Sequence, residues 1–190
     1  MARWMIASGA NVVAGVTPGK GGQEVEGRPI FNSVKEAPSA EVSCIVVPSA
    51  YVLSAVKEAL DSNIQFIHVL TENVSLHDAV EIRRLAKEKG KLLFGPASVG
   101  FLRFPDVRIG YLGGEKPFSG EIKEGDIALI STSGGMTNEL MTAFSRAGLG
   151  IRAAMAVGGG QVVGLSLSEA VALAEADPEV KRIAVFAEPG

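Results

Sequence analysis

Asp126–Leu140 reads DIALISTSGGMTNEL. Ile127–Ile130 is a short unbroken apolar run, the pattern of a strand covered on both faces. Ser131, Thr132, Ser133, Gly134 and Gly135 follow as a turn of small residues, and a helix is predicted from Met136 to Ala147. Strand, glycine-rich turn and helix make the first part of a parallel β-α-β unit. The alternation continues downstream with a strand over Ile151–Val157, a GGG turn, a helix over Ser166–Ala176 and a strand over Arg182–Ala187. Ser166 and Glu169 have the spacing of a capping box.

The same rhythm runs upstream. Strands are expected at Asn11–Val16, Ser43–Val47, Gln65–Leu70 and Lys91–Phe94, with helices over Ala50–Ser62 and Ser75–Lys89. Ser75 and Asp78 have the spacing of a helix start, and Gly90 that of a stop. Residues 97–124 break the pattern with Pro105, Pro117 and Gly113–Gly114 and no clear helix, which predicts a junction. The expectation is an α/β chain of two parallel-sheet units, residues 1–115 and 116–190. Both ends read as cut. Met1–Gly9 resembles the end of a crossover helix, and no helix follows the last strand. The strands at Asn11–Val16 and Ser43–Val47 are then expected to border a gap, closed by pairing with each other or with a strand of another copy or a partner.

Composition narrows the class. The 190 residues are 47% hydrophobic and 21% charged with a net charge of −3, too apolar for a disordered chain and without the basic stripe of a nucleic-acid binder. No run approaches the ~18 apolar residues of a membrane span. The single cysteine, Cys44, excludes an internal disulfide framework, and no thiolate cluster or histidine spacing predicts a metal site. A cytoplasmic setting is expected. His68, inside an apolar strand, reads as a core histidine, His77 as an exposed first-turn residue, and Cys44 as an inert core thiol.

Ligands of open parallel sheets sit beyond the carboxyl ends of the strands. Four such ends carry special residues: Thr17-Pro18-Gly19-Lys20-Gly21-Gly22, Pro48-Ser49, Thr71-Glu72-Asn73 and Gly95-Pro96-Ala97-Ser98. The glycines admit close backbone approach, and Lys20 offers a point charge suited to phosphate. A solvated loop lysine is the plain alternative, and the spacing is not that of a P-loop. In the second unit, the run Ser131–Gly135 before Thr137 exceeds what capping requires. Free N–H groups and the helix dipole there suit an anion. Glu72 and Glu188 follow strands, where a carboxylate can face a ligand or simply solvent.

Several motifs together carry a resemblance. They are GVTPGKGG (15–22), G-x-P-I-F-x-S-V-K-E-A (27–37), VVP (46–48), TEN-x-x-x-HD (71–78), GP (95–96), IG (109–110), S-x-SGGMTNEL (131–140), GLG (148–150), VGGG-x-x-x-G (157–164), DPE (177–179) and AEPG (187–190). In this order they resemble the α subunit of succinyl-CoA synthetase. More broadly they resemble the nucleoside-diphosphate-forming acyl-CoA ligases, which include ATP-citrate lyase and citryl-CoA synthetase. The wording SGGMTNEL is closer to the citrate-handling branch.

The resemblance implies a Rossmann-like CoA-binding domain followed by the front half of a flavodoxin-like ligase domain. It implies an acid–CoA ligase reaction through acyl phosphate and a phosphohistidine, with ATP or GTP and Mg2+ supplied through an ATP-grasp β-type partner in a homo- or hetero-oligomer. Thr17, Pro18, Lys20, Pro48, Ser49, Thr71 and Glu72 would contact CoA. Ser131, Thr132, Ser133, Gly134, Gly135 and Thr137 would bind phosphate. Glu188 matches the acid that supports the phosphohistidine.

Departures accompany the match. The family's first strand and CoA loop precede the start of this sequence, and its histidine lies beyond Gly190. An Asn is replaced by Ala97, and the family's VGGDP becomes Val157-Gly158-Gly159-Gly160-Gln161. The chain is therefore expected to be inactive alone. A non-catalytic CoA-binding or interaction module is the rival reading. The absence of G-x-G-x-x-G after the first strand argues against a dinucleotide oxidoreductase.

Overall fold

The computed structural model describes residues 2–115, 117–118 and 120–188. Three sheets are present. The first is small: β1 (Gly15–Val16) lies parallel to β3 (Arg28–Phe31), and β2 (Glu24–Val25) lies antiparallel on the other side of β3. The second is parallel, with β4 (Val42–Ile45), β5 (Phe66–Val69) and β6 (Leu92–Phe94) in that order. The third contains β7 (Gly100–Arg103), β8 (Val107–Gly110), β9 (Glu124–Ser131), β10 (Ile151–Ala156) and β11 (Arg182–Phe186) in the order β11-β9-β10-β7-β8. Helices are α1 (Ala2–Ala7), α2 (Val52–Leu60), α3 (Leu76–Glu88), α4 (Gly134–Arg146) and α5 (Leu167–Glu175).

The α/β expectation holds, and its local signals are realised. Ser75 Oγ accepts the Asp78 N–H at 3.1 Å to open α3, and Gly90 follows it with φ 62°. Ser166 Oγ accepts from the Glu169 N–H while the Glu169 carboxylate accepts from the Ser166 N–H, the full capping box of α5. The Ser166 N–H and hydroxyl hold that carboxyl down to about 2.

Strand β9 shows why the opening stretch is so apolar. Ile127 and Leu129 face a core shared with Met141 of α4, while Ala128 and Ile130 face a second core shared with Ala170 and Ala174 of α5. Alternation by two residues supplies both faces, so the whole run is buried. The first unit packs Ile67 and Val69 of β5 against Val52 and Val56 of α2 and Ile82 of α3.

Three features differ from the sequence expectation. Residues 97–124 contain the β7–β8 hairpin, and β7 runs antiparallel to β10, so this stretch is woven into the third sheet. Asn11–Val16 narrows to Gly15–Val16, because a strand is defined by its partner and β3 matches only those two residues. Among the described residues β1 and β4 do not pair with each other; each has one strand neighbour, β3 and β5 respectively.

Candidate functional site

The carboxyl ends of the second and third sheets are joined by the Gly95–Ser98 turn. Gly95 N–H donates to the Val157 carbonyl at 3.0 Å, and Gly164 N–H donates back to the Gly95 carbonyl at 2.8 Å. Ala97 N–H donates to the Thr71 carbonyl at 3.0 Å, and Gly159 N–H reaches the Ala97 carbonyl at 3.4 Å. Gly158 has φ +123°, and a Cβ there would stand 2.4 Å from the Pro96 carbonyl oxygen, so only glycine allows this approach. A Cβ on Gly159 would lie 3.5 Å from the Thr132 carbonyl oxygen. Thr132 Oγ1 in turn accepts the Glu188 N–H at 3.1 Å. Thr71, Ala97, Gly159, Thr132 and Glu188 therefore form one continuous rim.

His68 anchors this rim from below. Its Nε2 lies 2.8 Å from the Ser98 carbonyl, so Nε2 carries the proton and donates. Ser98 Oγ donates to the Ala156 carbonyl at 2.5 Å and accepts the Gly100 N–H at 3.2 Å. The ring is fully buried, and burial holds it down to about 4 against the bond to Ser98, so it is neutral. Its Nδ1 has no partner among the described residues. The expected core histidine is thus a link between the two units. Cys44, expected as an inert core thiol, is half-buried at the edge of the core, and desolvation pushes its thiol up to about 12. His77 is exposed and lies 3.3 Å from Asp78.

The turn before α4 combines closed and open donors. Ser131 is buried, and its hydroxyl accepts the Ser133 N–H at 2.9 Å and donates to the Ser133 carbonyl at 3.0 Å. Thr137 N–H and hydroxyl both donate to the Ser133 carbonyl, and Thr132 N–H donates to Phe186. The N–H groups of Gly134, Gly135 and Met136 make no protein hydrogen bond among the described residues. Three donors at a helix start remain directed outward.

In the first unit, Thr71 Oγ1 donates to the Val47 carbonyl at 2.7 Å, which brings the ends of β4 and β5 together beside Pro48 and Ser49. Glu72 is exposed. Thr17, Pro18 and Lys20 are also exposed, on a loop organised by a residue the motif reading passed over. Asn32 Oδ1 accepts the N–H groups of Gly19 at 2.9 Å and Gly21 at 3.0 Å. A Cβ on Gly21 would stand 2.4 Å from Asn32 Nδ2, so the close contact depends on that glycine. Asn32 occupies the variable position of G-x-P-I-F-x-S; its spacing before Ser33 carries no signal of a loop thirteen residues upstream. No hydrogen bond among the described residues links this loop to the 48–49 or 71–73 turns. Among the described residues no cluster of three metal-ligating side chains occurs, and no helix is long and apolar enough to cross a membrane.

The domain order defines the class. Residues 2–73 match the model of a CoA binding domain, and residues 124–189 match that of a succinyl-CoA ligase like flavodoxin domain. The chain carries these two domain types in this order, and it is similar to subunits of ADP-forming acid–CoA ligases. An α subunit of ADP-forming succinate–CoA ligase from Archaeoglobus fulgidus is 34% identical over 98% of this chain and 64% of its own length. Subunit SauD of an ADP-forming sulfoacetate-CoA ligase from Bilophila wadsworthia is 34% identical over 100% of this chain and 65% of its own. The chain thus spans less than two thirds of the length of these relatives. Among solved structures, ATP citrate lyase from Methanothrix soehngenii, in complex with citrate and coenzyme A, superposes with a TM-score of 0.77 at 26% identity, covering 83% of this chain and 27% of that one. A dinucleotide forming acetyl-coenzyme A synthetase from Ca. Korarchaeum cryptofilum has the same fold, with a TM-score of 0.78 over 100% of this chain and 40% of that one.

Proposed function

We propose that this chain acts as the α-type component of an acid–CoA ligase. It would hold CoA at the carboxyl ends of the first unit and present an acyl or phosphoryl group at the start of α4. The observation that carries this reading is the rim from Thr71 through Ala97, Gly159 and Thr132 to Glu188, which makes the two sets of strand ends neighbours. A thiol carried on the first unit and an acyl phosphate carried on the second are the two reactants of thioester formation. The adjoining ends favour a reaction between them, because positioning converts an encounter into a local step.

Thr17, Pro18, Lys20, Pro48, Ser49, Thr71 and Glu72 are the proposed CoA contacts. Lys20 would meet a phosphate from the loop whose middle Asn32 holds. Gly134 and Gly135 offer their N–H groups to a phosphoryl oxygen, with Thr132, Ser133 and Thr137 around them; Ser131 and Thr137 shape the turn through internal bonds. Glu188 stands at the rim, where a carboxylate can orient an incoming imidazole. ATP or GTP with Mg2+ would arrive through an ATP-grasp β-type subunit, and the Archaeoglobus relative, itself an α subunit, supports such a partner. The functional division is residues 1–115 for CoA and 116–190 for the phosphoryl side, with the β7–β8 hairpin built into the latter's sheet.

Calorimetric titration tests the first part. CoA should bind and NAD should not, and Lys20→Ala should weaken CoA by about ten-fold or more, the loss of one charge-assisted contact. CoA binding that is absent, or matched by NAD, overturns the reading. Mixing the chain with an ATP-grasp subunit, ATP, CoA and a set of carboxylic acids including succinate and citrate tests the second part. Turnover is expected only in the mixture; ligase activity without the partner overturns the assignment of a dependent α-type role.

A further inference from the structure

A cavity of about 290 Å3 lies between the second and third sheets, lined from β5 by Phe66, along β6 by Leu92 and Phe94, and along β10 by Ala153 and Met155. Both units build it. Phe66 and Phe94 come from the second sheet, Phe101 and Met155 from the third, and α5 closes one side. The rings of Phe66 and Phe94 are 5.0 Å apart and those of Phe94 and Phe101 6.2 Å apart, a continuous aromatic wall. Leu92 and Leu173, 42% and 41% exposed, mark its opening.

We propose that this cavity is a binding site for a compact, uncharged aromatic molecule. Charge is the first reason. The cation on its wall, Arg103, is already answered by Asp177, Nε to Oδ2 at 2.9 Å, so an anion gains no free counter-charge and meets a carboxylate. CoA, nucleotides and carboxylic acids are thereby disfavoured, which sets this site apart from the rim. Shape and surface are the second. The volume is near the lower end of ligand pockets, roughly 300–1,000 Å3, which suits one fused ring system. Three aromatic rings and a thioether offer edge, face and sulfur contacts to such a ring. Because the walls belong to both units, an occupant would brace one against the other. The inference does not rest on the ligase reading.

Indole is the probe, with indole-3-carboxylate as the charged control, titrated into the full chain by saturation-transfer NMR and calorimetry. Indole should bind saturably with a Kd below about 1 mM, as expected for a small ligand of good efficiency, and it should raise the melting temperature. The carboxylate should bind about ten-fold more weakly, having no unpaired cation to meet. Ala153 lines the cavity, and Ala153→Phe should fill it and weaken indole at least about ten-fold. Should that variant fail to fold, Ala153→Leu makes the same test with a smaller filling. Indole binding that is absent, unchanged by filling the cavity, or weaker than that of the carboxylate overturns the proposal.

Discussion

The two glycine-rich turns of this molecule, Thr17–Gly22 and Ser131–Gly135, look alike in sequence and are built in opposite ways. The second follows an interior strand, β9, with Ser131 fully buried; the Ser131 and Thr137 hydroxyls bond Ser133, and the N–H groups of Gly134 and Gly135 stay open. The first is exposed along its length; backbone bonds from the Thr17 N–H to Phe31 and from the Gly22 N–H to Ile30 hold its ends, and one side chain, Asn32, holds its middle. A turn rooted in a buried serine and bonded within itself couples ligand binding to folding. A loop whose exposed middle hangs on one side-chain amide can change its ligand affinity while leaving the fold alone.

The largest effect concerns what keeps the two turns in one molecule. Burial lowers the His68 pKa to about 4 in the folded chain against an ordinary value near 6.5. The unfolded chain therefore takes up the proton first as pH falls. Stability should be complete above about pH 6.5, decline from there to about pH 4, and lose nothing further from this group below that. The total is about 3 kcal/mol, from the size of the shift. Urea unfolding at pH 7 and pH 4.5 measures it, and His68→Gln should remove most of the difference. An unchanged pH dependence in that variant would show that the junction under the rim does not depend on the imidazole.

Next in size is the turn before α4. Ser131→Ala takes the hydroxyl from the half-buried Ser133 N–H, while the Ser133 carbonyl keeps the Thr137 N–H and hydroxyl, so the loss is about 1 kcal/mol. Equilibrium denaturation should show it as a lower midpoint. Asn32→Ala removes a similar pair of bonds at the surface, so its effect on stability should stay within about 0.5 kcal/mol. Its effect on CoA should be larger, about ten-fold in Kd, because the freed loop must be ordered again on binding. Equal partition of the two variants between stability and affinity would erase the contrast drawn here.

That contrast also marks what the sequence could disclose. Ser75 with Asp78 and Ser166 with Glu169 announce their helices because a cap and its partner are three residues apart. Ile127–Ile130 announces a strand because both neighbouring layers are apolar. The β7–β8 hairpin was hidden, since pairing of Phe101 with Met155 spans more than fifty residues and the intervening prolines suggest a junction. In the site, the run Ser131–Gly135 was visible because its bonds are local. Asn32 was not, because its partners lie across two strands, and neither was the role of His68, which is defined by a carbonyl on another unit.

The smallest expected effect is a gain, at the point where the two sets of strand ends meet. Ala97 has φ 59°, the left-handed region, where a Cβ is crowded by the following carbonyl. The backbone is held there from both sides, by its N–H on Thr71 and its carbonyl under Gly159, so the residue cannot relax without breaking the rim. Glycine takes this conformation without the steric term, worth about 1–2 kcal/mol, but it gives up about 0.5–1 kcal/mol in the greater freedom of the unfolded chain. Ala97→Gly should therefore stabilise by about 0.5 kcal/mol, read as a small rise in the denaturation midpoint with an unchanged slope. Ala97→Val should do the reverse, because a β-branched side chain suffers most at positive φ. A midpoint that falls with glycine and holds with valine would show that the Thr71 and Gly159 bonds do not fix this backbone.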